Sequence, residues 1–176
     1  MAADLPAPRN MRTFLVLWFG QMISIMGSGL TSFALGVWIY QKTGEATPFS
    51  ITVLMGNLPR ILVAPLAGAA ADRWNRRWIM ILTDSLNALV TLALVLVVAA
   101  DGLQLWMVYL SAAIFSLCSG FQDPAYSASV SMLVPKEQLG RANGLISLAQ
   151  SLEMLASPLL AGLLLVTIGF SGVVLI

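Results

Sequence analysis

The chain has 176 residues, of which 59% are hydrophobic and only 10% charged, with a formal net charge of +1. Soluble domains carry about 25% charged residues, so the composition points to an integral membrane protein and offers no basic surface for nucleic acid. There is no histidine and a single cysteine, Cys118. That excludes an internal disulfide, a Cys/His zinc site and a His-dependent triad. No metal or cofactor is expected, and the chain is not expected to be an enzyme.

The elements follow from hydropathy, since a membrane-crossing helix needs roughly 20 mostly apolar residues. The opening MAADLPAPRN lacks the charged-then-apolar pattern and cleavage site of a signal peptide. Residues 1–12 therefore read as a polar tail, and the first apolar run, about 14–40, as a retained span. Further spans are predicted at about 49–71, 78–100, 105–133 and 145–168, with a sixth beginning near Phe170 and incomplete at Ile176. The connections QKTGEATP, DRWNRR, DGLQ, VPKEQLGRANG and FSG are punctuated by Gly, Pro and Asp. The fold class is all-α and polytopic.

Basic residues set the expected orientation. Arg9 and Arg12 precede the first span, Arg73, Arg76 and Arg77 follow the second, and Lys136 and Arg141 follow the fourth. The opposite loops hold only Lys42. The positive-inside rule then places the N-terminus and DRWNRR in the cytoplasm. Trp18, Trp38, Tyr40, Trp74, Trp78, Trp106 and Tyr109 mostly fall near span ends, as an aromatic belt would.

The turn GAAADRWNRR concentrates charge in an oily chain. Gly68 would permit close helix approach. Asp72, at a helix end, can accept hydrogen bonds from a helix N-terminus. Arg73, Arg76 and Arg77 can pair with Asp72 or with anionic lipid headgroups. Gly68, Ala71, Asp72, Arg73, Trp74, Arg76 and Arg77 resemble the signature loop between helices two and three of the major facilitator superfamily. Asn75 stands where that signature has Gly, and a left-handed backbone is expected there, since Asn tolerates that conformation next best. The resemblance implies a gating loop that locks the outward-open state. The alternative is a basic loop that only sets topology.

In the fifth span, SPLLAG is similar to the antiporter motif of the same superfamily. Pro158 and Gly162 match, while Ser157 and Ala161 replace glycines with other small residues. Proline loosens a helix and small neighbours allow close packing; an ordinary proline kink is the alternative. The stretches LPRILVAPLAGAAADR and FQDPAYSASVSMLVPKEQLGRANGL resemble the branch that holds macrolide-efflux proteins and the enterobactin exporter. The resemblance covers the chain from about Arg12 onward. It implies secondary active, proton-driven export of drugs or siderophore-like molecules by alternating access, in a bacterial inner membrane. One departure stands out. Where many antiporting members carry an arginine in helix four, this chain has Ser116, so any coupling must use another site.

Arg60, Asp84, Asp123 and Glu153 fall inside predicted spans. Each costs about 2.5 kcal/mol or more at the bilayer centre, which makes it a functional candidate by default. At about 1.5 Å per residue, Arg60 lies about 18 Å from Asp72, near the midplane, with Glu153 at a similar depth. Asp84 and Asp123 fall in the cytoplasmic half. Glu153 and Asp123 are the candidate proton carriers, because a carboxyl in low dielectric can load and release a proton near neutral pH. The superfamily arrangement lines the central cavity with helices one, two, four and five, which favours Glu153, Asp123 and Arg60 over Asp84. Arg60 could instead serve structure, paired with one carboxylate.

In the first span Gln21, Ser24, Ser28 and Thr31 share one face, among Gly20, Gly27 and Gly29. That face either lines a substrate path or packs on helix five. Asn87 and Thr91 share a face with Asp84. The nine methionines suit an adaptable apolar cavity but also fill ordinary membrane cores. Small-molecule substrates, protons and lipid are the expected partners. Superfamily members have two six-helix halves, so a C-terminal half is expected to be needed as well. An uptake permease of the same fold, or a non-transporting membrane fragment or assembly protein, are the rival readings.

Overall fold

In the computed structural model, which describes residues 11–174, five long helices make up nearly the whole path. They are α1 (Met11–Thr43), α2 (Ala46–Arg73), α3 (Arg76–Ala99), α4 (Leu105–Leu133) and α5 (Leu139–Val174), with a 3-10 turn at Lys136–Gln138. All five are long and apolar enough to cross a membrane, and the described residues contain no strand. Large apolar side chains such as Val16, Leu62, Leu82, Leu159 and Val166 point outward. Water would not tolerate so continuous an apolar coat, whereas lipid requires it, together with helices that satisfy their own backbone. The chain is a multi-pass membrane protein. Arg9 and most of the predicted tail lie outside the described residues.

The helices outrun the expected spans where their ends leave the apolar zone. α1 continues to Thr43, where Gly44 at φ 67° stops it and its N–H bonds Tyr40 O at 2.9 Å, a left-handed cap that glycine adopts without strain. The expected loop at 134–144 is mostly helix. Gly140, Asn143 and Gly144 look like loop residues, yet Ala142 between them is fully buried against Phe14, Val130 and Val134. Packing outweighs propensity here, and α5 begins at Leu139 rather than near Leu145. FSG is not a loop either. Gly169 alone (φ 72°, ψ 175°) breaks α5, and the chain turns helical again at once.

The charged turn also narrows, to Trp74 and Asn75 between α2 and α3. The left-handed backbone expected of Asn75 from its place in the motif is not found. Its backbone is extended (φ −69°, ψ 112°), and its side chain caps α3 by accepting from the Arg77 N–H at 3.0 Å. Asn is among the best N-cap residues, which explains it here without positive φ. Asn75→Ala should therefore cost about 1 kcal/mol of stability and Asn75→Asp almost none, as read from thermal unfolding of the purified protein in detergent.

The most extensive packing joins helices that are not consecutive: α2 lies along α4, and α1 along α5, with α3 on the outer side of α4. One apolar cluster (Phe14, Val130, Val134, Ala142) closes the bundle beside the 74–75 turn. Another (Leu35, Ile39, Leu94, Val108) closes the opposite end, where Trp38 stacks on Phe170 with centroids 6.0 Å apart. Trp18 Nε1 donates to Leu145 O at 2.9 Å and ties α1 to α5.

Two glycines mark the closest crossings. A β-carbon on Gly120 would meet Val63 Cγ2 at 2.8 Å and the Arg60 backbone at 3.3 Å. One on Gly29 would overlap Glu153 Oε1 and Ser157 Oγ. Gly68, expected to allow close approach, does not do so among the described residues: a β-carbon there meets nothing within 4 Å. The buried small residues Ala67 and Ala71 lie on the packed side of α2 instead.

Candidate functional site

A cleft of about 1120 Å³ lies between α1, α2, α4 and α5, with Asn87 reaching it from α3. Its wall carries Gln21, Ser24 and Ser28 from α1, Arg60 from α2, Asp123 from α4, and Glu153, Ser157 and Pro158 from α5. Residues far apart in sequence thus converge because α1 packs on α5 and α2 on α4. Gln21, Ser24 and Ser28 recur at helical spacing, so one face of α1 presents them together. Thr31, on the same predicted face, is buried and bonds back to Gly27 O at 3.1 Å.

Arg60 both lines the cleft and pairs with a carboxylate. Its Nε lies 3.5 Å from Asp123 Oδ2, and both side chains remain more than half exposed. Beside Pro59, the Arg60 backbone N–H donates to Ser116 Oγ at 3.1 Å. The helix-four position at which many antiporting members carry an arginine therefore holds a buried hydroxyl that receives the α2 backbone. Glu153 has no ion pair or hydrogen bond among the described residues, and it is half-buried in the cleft wall. Ser157 Oγ and Asn87 Oδ1 are buried without a partner there.

Asp84 does not line the cleft, but it is connected to it. Gln122 Nε2 donates to Asp84 Oδ1 at 2.8 Å and also lies 3.4 Å from Gln21 Oε1. Sequence reasoning passed over Gln122, together with Asn57 and Gln150 in the same wall. A neutral amide within an apolar span was the available signal, since polar groups at that depth face protein or water.

The antiporter-like residues divide. Ser157 and Pro158 face the cleft, Ala161 is fully buried, and a β-carbon on Gly162 would meet nothing within 4 Å.

The charged turn breaks local helix rules. Asp72 sits in the last turn of α2, and Arg76 and Arg77 sit in the first turn of α3, each at the helix end that disfavours its charge. Asp72 makes no hydrogen bond or ion pair among the described residues, so its expected pairing with the arginines is not seen. The acceptor role at the α3 N-terminus belongs to Asn75. Arg76 is the half-buried member. Its Nε donates to Ala71 O at 3.3 Å and its Nη1 to Ala128 O at 3.5 Å, so one guanidinium serves carbonyls near the C-terminal ends of both α2 and α4. That location is favourable for a cation. Arg76→Ala should lower stability by about 1–2 kcal/mol, and Arg77→Ala by less than about 0.5 kcal/mol. Comparing the thermal midpoints of the two variants checks this.

Comparison with known proteins agrees with this architecture. The family model of the Major Facilitator Superfamily matches residues 17–176. Macrolide efflux protein A of Streptococcus pyogenes is 34% identical over 151 residues, which cover 86% of this chain and 37% of that protein. Its namesake in Enterococcus faecalis is 36% identical over 121 residues, covering 69% of this chain and 37% of that protein. The multidrug efflux pump Tap of Mycolicibacterium fortuitum is 29% identical over 162 residues, covering 88% and 39%. The chain thus spans well under half the length of these relatives. No solved structure matches it significantly. With five membrane-crossing helices around a polar-lined cleft and a family match over nearly its whole length, the chain belongs to the Major Facilitator Superfamily.

Proposed function

We propose that the chain is the N-terminal part of a proton-driven exporter of small, largely apolar molecules, working by alternating access. The observation that carries this reading is the cleft itself. A cavity of about 1120 Å³ is large enough for a drug-sized molecule, and its apolar wall holds two acidic groups, Asp123 and Glu153, at membrane depth. Intramembrane carboxyls are costly and mark ion or substrate paths. Glu153 and Asp123 are the proposed proton carriers, with Arg60 paired to Asp123, and Gln21, Ser24 and Ser28 lining the substrate path. The names of the relatives, macrolide and multidrug efflux, support export of drugs. Siderophore-like molecules are the second substrate class to test.

In the proposed orientation the N-terminus and the 74–75 turn face the cytoplasm of a bacterial inner membrane, as the basic residues favour. Gly68, Asp72, Arg73, Arg76 and Arg77 form the gating turn. Arg76 alone of these has side-chain hydrogen bonds among the described residues; the others, Asp72 and Gly68 included, have none, which fits a role realised in another conformation or against a further helical block. A second six-helix block is proposed to complete the transporter.

Expression of the gene in an efflux-deficient bacterium tests the reading. Tolerance should rise several-fold for part of a panel of macrolides, other lipophilic drugs and siderophore-like compounds, and a proton uncoupler should remove the gain. Equal tolerance with and without the gene across the panel would overturn export, and a gain that persists under the uncoupler would overturn proton coupling.

A further inference from the structure

A second concavity lies away from the central cleft, on a different face of α3 from Asn87. It is a groove of about 510 Å³ between α3 and α4 that starts at the 74–75 turn. Its floor is formed by Ile79, Thr83 and Cys118, all buried. Its rim, with Trp78, Leu82, Leu86 and Leu117, is exposed, so the groove opens outward. The Thr83 hydroxyl is already bonded to Ile79 O and Met80 O, both at 3.0 Å. Below the tryptophans the groove therefore offers hydrocarbon and one buried thiol.

Its length selects the occupant. From Asn75 to Leu86 α3 rises about 16 Å at 1.5 Å per residue, close to half of the roughly 30 Å hydrocarbon core. A helix of a second copy would cross the whole core and would need an apolar groove about twice as long. A lipid tail of one leaflet needs only this one. The mouth selects the headgroup. Arg73 and Arg77 are exposed there and make no ion pair or side-chain hydrogen bond among the described residues. Arg76 is committed to helix carbonyls. Three arginines against Asp72 leave residues 72–77 with a net charge of +2. Trp74 and Trp78, both 67% exposed, suit the level of the headgroups.

An apolar slot one leaflet deep, with two unspent guanidinium groups at its mouth, is complementary to a phospholipid of negative net charge. A zwitterionic lipid would bring a cation of its own to the arginines. We propose that the chain holds an anionic phospholipid at a fixed site, with one acyl chain between α3 and α4 and the phosphate on Arg73 and Arg77. This inference goes beyond the export reading and does not depend on it.

The test uses the protein purified as its gene encodes it, reconstituted into phosphatidylcholine vesicles. The probes are phosphatidylglycerol and phosphatidylcholine with dibrominated acyl chains, which quench tryptophan on contact. The difference between the protein and its W74F/W78F variant isolates quenching at the groove. There phosphatidylglycerol should bind roughly tenfold or more tightly than phosphatidylcholine, as two basic residues at a membrane surface imply. Raising the ionic strength from about 0.05 M to about 0.5 M should remove most of that preference. Arg73→Gln with Arg77→Gln should make the two lipids equal, whereas Lys136→Gln should keep the full preference. Leu86→Phe with Leu117→Phe narrows the slot and should lower phosphatidylglycerol binding several-fold with both arginines in place. Equal quenching by the two lipids in the unaltered protein, or a preference that survives R73Q/R77Q, would overturn the headgroup assignment. A preference untouched by L86F/L117F would overturn the seat between α3 and α4. Lipid quenching that disappears as the protein is concentrated in the membrane would assign the groove to a second copy instead. The salt series on the unaltered protein carries the test alone should the variants fail to insert, and a preference indifferent to salt would overturn the proposal.

Discussion

Glu153→Gln is expected to reduce uncoupler-sensitive export to the level of a host without the gene, while the amount of protein in the membrane stays the same. Glutamine keeps the shape of the side chain and removes both the charge and the exchangeable acid proton. Glu153 has no ion-pair partner among the described residues, so its loss strands no opposite charge, the circumstance that makes removal of one member of a buried pair so destabilising. Asp123→Asn differs in this respect, because it leaves the Arg60 guanidinium without its carboxylate. That variant should lose both export and some thermal stability. The measurement is substrate accumulation in energised everted vesicles, alongside quantified membrane insertion. Undiminished transport by E153Q would remove Glu153 from the coupling path.

Gly120→Val should be the most destabilising single change in the bundle. Already a methyl at this position would come within 2.8 Å of Val63 Cγ2 and press on the Arg60 backbone at 3.3 and 3.4 Å. The backbone cannot turn aside as a flexible side chain can. Overpacking of this kind costs about 1–3 kcal/mol for a methyl and more for a branched side chain. Separation of α2 from α4 would also withdraw the Arg60 N–H from Ser116 and open the Arg60–Asp123 pair. Gly68→Ala provides the contrast, since it meets open space and gains up to about 1 kcal/mol of helix propensity. Thermal unfolding in detergent should show a large fall for G120V, a smaller one for Gly120→Ala, and no fall for G68A. Equal midpoints for G120A and G68A would show that the α2–α4 crossing tolerates expansion.

The spans were readable because hydropathy over 20 residues is a strong, local property. α4 ends where its apolar run ends, at Leu133. The start of α5 was not readable, since its Gly and Asn residues carry a loop-like propensity that only the buried contact of Ala142 with Phe14 overrides. The cleft residues were visible one by one as charges and amides out of place in a span. Their meeting depends on which helices pair, and hydropathy contains nothing about that. The Arg60–Asp123 pair, the Gln122 bridge to Asp84 and the shared place of Glu153 and Ser157 beside Gly29 all belong to this second category. Asn75 shows the opposite failure. The motif implies for Asn75 the backbone conformation of the glycine it replaces, whereas the side chain's capping hydrogen bond decides its role.

The pairing of α1 with α5 has a consequence for biogenesis. Trp18 and its partner carbonyl on Leu145 are 127 residues apart, and at bacterial or eukaryotic synthesis rates the second appears about 6–25 s after the first. During that interval α1 must reside in the bilayer with its glutamine and serines facing lipid, the translocation machinery or the helices made directly after it. α2 waits in the same way for α4. The nascent bundle is therefore held open by the order of synthesis, and its two principal seams close late, the α1–α5 seam last. Mutations that weaken α5 should be felt first as degradation of newly made chains, before any change appears in the mature protein.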